Sequence, residues 1–145
     1  MRHVFFSVIT LAALGCSTKA QEKWATLPNT VIELPLPRAA SVKPDGVSIR
    51  IEIRPGFRHP RPISLAPADN VALTASYEHE RSKSDTRLLW NHRVRTGGMG
   101  GPESHVEGVL HVREQAFSFT CSDQREGGPP PLDWCIDTLL AARHQ

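Results

Sequence analysis

The chain has little of what most functional classes need. Only 6% of its 145 residues are aromatic, and 17 lysines and arginines against 15 aspartates and glutamates leave a formal charge of +2. A nucleic-acid surface needs a basic patch or stacking aromatics, and neither stands out. No apolar run approaches the ~20 residues that cross a bilayer as a helix. The three cysteines form no CxxC element of the redox or zinc type. A Gly-x-Ser-x-Gly nucleophile elbow is absent. Thr96-Gly97-Gly98-Met99-Gly100-Gly101-Pro102 is glycine-rich but lacks the lysine and hydroxyl residue of a phosphate loop, so it reads as a strand connection. His105, Glu107 and His111 share a strand face, yet the two histidines would stand ~20 Å apart at ~3.3 Å per residue, too far for one ion. Glu78 and Glu80 share a face with His79 turned away, which makes no carboxylate pair for glycoside cleavage. These absences predict no catalytic residues, no metal site, no cofactor and no nucleic-acid partner.

What is present points to an exported single domain. The length suits one domain, and 39% hydrophobic residues suffice for one modest core. Arg2 and His3 precede the short apolar stretch Val4–Leu14, as in a secretory signal. Ala13-Leu14-Gly15-Cys16 resembles a bacterial lipobox, although its leucine lies one step later than usual. Residues 1–15 are therefore read as a signal peptide and Cys16 as the lipidated mature N-terminus, with plain cleavage near Ala20 as the alternative. Ser17, where an aspartate would signal inner-membrane retention, favours the outer membrane of a periplasmic lipoprotein. The polar residues 16–29 are read as a tether, and 30–145 as the domain. The only membrane contact expected is the lipid anchor.

Period-two alternation dominates that domain. Val47–Arg54 places Val47, Ile49, Ile51 and Ile53 inward and Ser48, Arg50, Glu52 and Arg54 outward. Further strands are predicted at 71–80, 86–96, 105–113 and 116–121, with 31–36 demoted to an edge by Pro35 and Pro37. Turn signals lie at Pro44-Asp45-Gly46 and along the prolines from 55 to 67. Leu132, Cys135, Ile136, Leu139 and Leu140 make a helical stripe behind Pro131. The expected fold is mainly β: a single-domain, antiparallel β-sandwich-like fold with a short C-terminal helix.

If Cys16 carries lipid, Cys121 and Cys135 are left as a pair, and an oxidising periplasm favours a disulfide over two free thiols or a metal pair. A ring of about 15 residues contributes ~3 kcal/mol in the chain-entropy model. Inside it lies Ser122-Asp123-Gln124-Arg125-Glu126-Gly127-Gly128-Pro129-Pro130-Pro131. Polar side chains, a glycine reversal and three prolines describe either a stapled solvated loop or a stiff projection that holds charged tips in place. His79-Glu80-Arg81-Ser82-Lys83-Ser84-Asp85 reads as a second polar segment between strands, suited to a wet interface or to an ordinary hairpin tip.

The lipobox, the one-domain β pattern, the Cys121–Cys135 ring and the Gln124-Arg125-Glu126-Gly127-Gly128 tip together resemble the periplasmic immunity lipoproteins of type VI secretion muramidase effectors, of the kind found in Pseudomonas. The resemblance implies a monomer that forms a 1:1 complex with a secreted peptidoglycan-degrading effector and plugs its groove. Glu126 would be the leading contact, with Asp123, Gln124, Arg125 and Gly127 beside it, and Ser82, Glu80 and Lys83 as a second patch. Any calcium in such a complex is expected on the effector. Other readings of the same residues are an inhibitor of host or phage lysozyme, a non-inhibitory structural or ligand-binding envelope lipoprotein, and a small hydrolase.

Overall fold

The computed structural model describes residues 23–54, 56, 59–96 and 99–145. The signal peptide, Cys16 and the first part of the tether lie outside these residues. Among the described residues the order is β1 (Lys23–Thr26), β2 (Ile32–Leu36), β3 (Ala40–Asp45), β4 (Ser48–Ile53), β5 (Arg61–Pro67), α1 (Asn70–Thr74), β6 (His79–Lys83), β7 (Thr86–Arg95), β8 (Glu103–Val112), β9 (Gln115–Gln124), α2 (Asp133–Leu140) and β10 (Arg143–His144).

The strands make two antiparallel sheets, one ordered β1-β2-β10 and one of seven strands ordered β3-β4-β5-β9-β8-β7-β6. The alternation that predicted β4 sets its inner face: Ile49, Ile51 and Ile53 join Ile63, Leu65, Val106, Leu110, Phe117 and Phe119 in the core. Against them pack Leu27 of the β1–β2 connection, Ile32, Leu34 and Leu36 of the small sheet, and the helical stripe. All five residues of that stripe, Leu132, Cys135, Ile136, Leu139 and Leu140, are buried. Burial of a leucine or isoleucine side chain contributes ~1.5–3 kcal/mol, so this face fixes α2 even though Leu132 supplies no side-chain cap. The fold is thus mainly β, with α2 near the C-terminus.

Several local expectations fail for identifiable reasons. The segment 71–80 is not one strand. Asp69 Oδ1 accepts from Ala72 N at 2.8 Å, an N-cap that starts the five-residue α1. Val71 and Leu73 are exposed. The tether does not extend to residue 29. From Lys23 the chain forms β1, with Ala25 and Leu27 buried. Residues 31–36 are not an edge either, because β2 lies between β1 and β10. Val31 O accepts from Gln145 N on the β10 side and Ile32 O accepts from Leu27 N on the β1 side. By alternation Pro35 points toward β10, which covers only Ile32 and Glu33. Its missing N–H therefore costs no ladder bond. Pro62 is placed the same way. It lies in β5, one residue past Ile63↔Cys121, where the ladder to β9 ends. The proline-rich stretch thus contains an interior strand as well as turns. Val47 lies in the turn and is exposed, while Glu52, expected in water, is buried among Lys43, Arg50 and Arg54.

Candidate functional site

β9 runs longer than its apolar residues suggest, because β8 pairs with it to the end at Ser104↔Asp123 and Glu103↔Gln124. Ser122, Asp123 and Gln124 are therefore strand residues, and the loop proper starts at Arg125. It rejoins the fold at Leu132, before α2. Arg125, Glu126 and Gly127 are exposed, Pro130 is buried, and Gly127 and Gly128 hold φ of 88° and 151°.

Two ties close the base of this loop. Cys121 and Cys135 are joined by a disulfide, with both residues in the core. Beside it, Arg61 reaches from β5 between the two limbs. Its Nε lies 2.8 Å from Asp123 Oδ2, and its guanidinium carbon stands 5.5 Å from the centre of the Trp134 ring. Asp123 is only 8% exposed and its Oδ1 accepts from Gln124 N at 2.9 Å. The Arg61–Asp123 contact is an ion pair by distance, with the N–H not aimed along it. Arg61 Nε, Asp123 Oδ2, Ser104 Oγ and Trp134 Nε1 are buried without a hydrogen-bond partner among the described residues. Asp123 thus serves the foot of the loop, while Glu126 and Arg125 occupy its exposed tip.

The glycine-rich connection between β7 and β8 supports the outgoing limb. Gln124 Nε2 donates to Gly101 O at 3.0 Å, and Arg125 N donates to Pro102 O at 3.4 Å. Gly101 has φ +82°, and a Cβ there would meet Arg125 O at 2.5 Å. Only glycine tolerates both the left-handed conformation and that approach. Sequence reading missed this cradle, whose signal was the glycine run itself. A cavity of about 230 Å³ lies along the same limb, lined by His59, Arg61, Gly100 and residues 123–126. Among the described residues, no three His, Cys, Asp or Glu side chains come together as a metal-binding group.

The second predicted patch does not join the first. His79–Lys83 is not a connection but β6, an edge strand exposed at every residue; the turn after it is Ser84-Asp85. Glu80 and Ser82 share one face, and Lys83 lies on the other. Arg87 Nε donates to Glu80 Oε1 at 2.7 Å, and this bond holds the Glu80 carboxyl below its ordinary pKa. Ser82 stands opposite Arg87, then His111, then Ala116 across the sheet, eight residues along β9 from Gln124. At ~3.3 Å per residue and ~4.8 Å per strand, the patches are about 30 Å apart.

Residues 33–143 match the type six secretion immunity 3 (Tsi3) domain. The chain belongs to the Tsi3 family. No curated protein matches this Tsi3 chain in sequence. A protein of known crystal structure from Bacteroides thetaiotaomicron VPI-5482 is similar in fold, with a TM-score of 0.52 and 10% identity over 79% of this chain and 45% of that one. The Tsi3 chain therefore spans less than half of that protein, and the likeness concerns the fold alone. Membership makes this a type VI secretion immunity domain, which implies binding to a cognate secreted effector. Both the double-closed loop and the glycine cradle lie inside the matched span.

Proposed function

We propose that this Tsi3-family protein is a periplasmic lipoprotein, anchored through Cys16 to the outer membrane, that neutralises a peptidoglycan-cleaving muramidase effector. It acts by occlusion and not by turnover. As a monomer it forms a 1:1 complex in which the loop Arg125–Pro131 enters the effector's glycan groove and excludes substrate. The observation that carries this reading is the loop itself. A disulfide and an Arg61 bridge close its base, a glycine cradle supports one limb, and Arg125 and Glu126 stand free at the tip. A tip already ordered before contact loses little conformational entropy on binding. Glu126 then offers a carboxylate to polar groups that the groove keeps for sugar, and Gln124 and Arg125 flank it.

The test is titration of the cognate effector with this protein while peptidoglycan hydrolysis is followed. Activity should vanish near one molar equivalent. Glu126→Ala should bind ~2–5 kcal/mol more weakly if its carboxylate is buried in the complex, with an unchanged melting temperature. Unimpaired inhibition by that variant would overturn the role of the tip. Inhibition of lysozyme but not of the effector would overturn the choice of target.

A further inference from the structure

The inhibitory loop leaves a concavity on each side. One is the cavity beside Arg61. The other, about 260 Å³, lies where the returning limb meets α2 and is lined by Pro131, Leu132, Asp133 and Ile136 on one wall and His79, Arg81, Trp90, His92 and Val106 on the other. Its inner lining is apolar. His79 stacks on Trp90 with ring centroids 5.4 Å apart, while Trp90, Val106, Leu132 and Ile136 are half-buried or buried. Its rim is polar, and three of its four polar side chains, His79, Arg81 and His92, can donate hydrogen bonds; Asp133 is the one carboxylate. Arg81 is half exposed, and its only ion pair among the described residues is Asp137 at 3.5 Å, itself 70% exposed, so its donors remain largely available. An apolar floor with a few convergent polar groups is the usual anatomy of a binding pocket.

The loop cannot be the whole interface. A stable protein–protein contact buries roughly 800 Å² on each partner, over about 20–30 residues. The residues Arg125–Pro131 fall far short. The patch at Ser82 and Lys83 runs on along β6 away from the loop, whereas the His79 end of β6 borders the loop through Pro131 and Asp133.

We infer that the cleft between β6–β7 and the start of α2 is a second effector-binding subsite, taking an acidic segment from one lip of the effector's groove while the loop occupies the groove itself. This rests on the occlusion reading for the identity of the partner. The donor-rich rim recognises a carboxylate, and the floor of Trp90, Val106, Leu132 and Ile136 takes the apolar part of the same segment. The loop is then a ridge between two furrows, one for each lip.

Calorimetry with the cognate effector tests it, using His79→Ala, Arg81→Glu and His92→Glu. Arg38→Glu and Ser41→Glu, at the β3 edge of the sheet opposite β6, serve as distant charge controls, and Glu126→Ala as the loop control. Thermal denaturation of each variant checks that it folds. Arg81→Glu and His92→Glu should each weaken binding about tenfold or more, and the two distant controls less than threefold. Weak binding by Glu126→Ala with unchanged binding by all three cleft variants overturns the subsite and leaves the loop reading intact. The reverse pattern overturns the loop reading and leaves the subsite. Equal losses at Arg81 and at Arg38 and Ser41 would show a diffuse charge effect and overturn the subsite.

Discussion

Arg61 Nε and Asp123 Oδ2 meet at 2.8 Å directly beneath the loop that carries Glu126. The contact joins β5 to the end of β9 just where the chain leaves the sheet. Asp123 is almost fully buried, and Arg61 is held on its far side by the Trp134 ring. Removing either partner strands a charge in a confined place.

Asp123→Ala should therefore destabilise the fold by about 2 kcal/mol. That is below the ~3–5 kcal/mol for a fully buried pair, because Arg61 keeps some contact with water. Arg61→Met with Asp123→Leu should cost less than the two single changes added together. Urea denaturation of the four proteins measures this. Strict additivity would mean that the two side chains do not interact.

Gly101→Ala should cost more than Gly46→Ala. Both glycines have positive φ, +82° and +59°, so both changes impose strain of roughly 1 kcal/mol. A Cβ at position 46 meets nothing within 4 Å, whereas at 101 it meets backbone at 2.5 Å. Gly101→Ala should also push Arg125 outward and weaken effector binding, which Gly46→Ala leaves unchanged. Equal melting temperatures for the two variants would contradict the cradle.

Replacing Cys121 and Cys135 together by serine should lower stability by ~3 kcal/mol in the chain-entropy account. Both residues lie in the core, so the bond in the folded protein should resist reducing agents that attack it readily after unfolding. The Arg61 bridge survives in the double variant and keeps the loop partly ordered. Dissociation of the effector should accelerate without inhibition being lost. An identical dissociation rate would remove the disulfide from the loop's preorganisation.

Glu52 gives a pH dependence with a definite sign. Lys43 is the largest influence lowering its pKa, followed by the Arg50 hydrogen bond at 3.3 Å and Arg54; burial opposes them. A carboxyl whose folded pKa is depressed contributes stability above its unfolded pKa and loses it as pH falls through the folded value. Between neutral pH and pH ~3 the wild type should thus lose more of its melting temperature than Glu52→Gln. Parallel melting curves across that range would show that the cations do not act on Glu52.

Long patterns were legible in the sequence, and short or unusual ones were not. The alternation at Ile49, Ile51 and Ile53 and the stripe Leu132–Leu140 each bury a continuous face, and such faces dominate the packing. β1 has only four residues, too few for a period to emerge. β5 was hidden by Pro62 and Pro67, which are harmless because one lies beyond the β9 ladder and the other ends the strand. α1 was hidden by β-forming Val71 and Thr74, and the Asp69 cap prevailed over them. At the site, the ring and the exposed tip followed from cysteine spacing and turn chemistry. Asp123 was misplaced because burial at the end of β9 depends on Ser104 and Arg61, which are distant in sequence. Arg61 itself carried no local signal.

Register also dictates the order in which the molecule can assemble. β7, β8 and β9 form a meander of strands adjacent in sequence, whereas Ile63 must find Cys121 and Glu33 must find Arg143 across long stretches of chain. Hairpin closure takes ~1–10 μs, but sheets rich in non-local pairing fold in milliseconds to seconds. The meander should therefore form early and wait for β5. During that wait the edge of β9 that later receives β5 stays open, and the chain is then at its most vulnerable to aggregation and proteolysis.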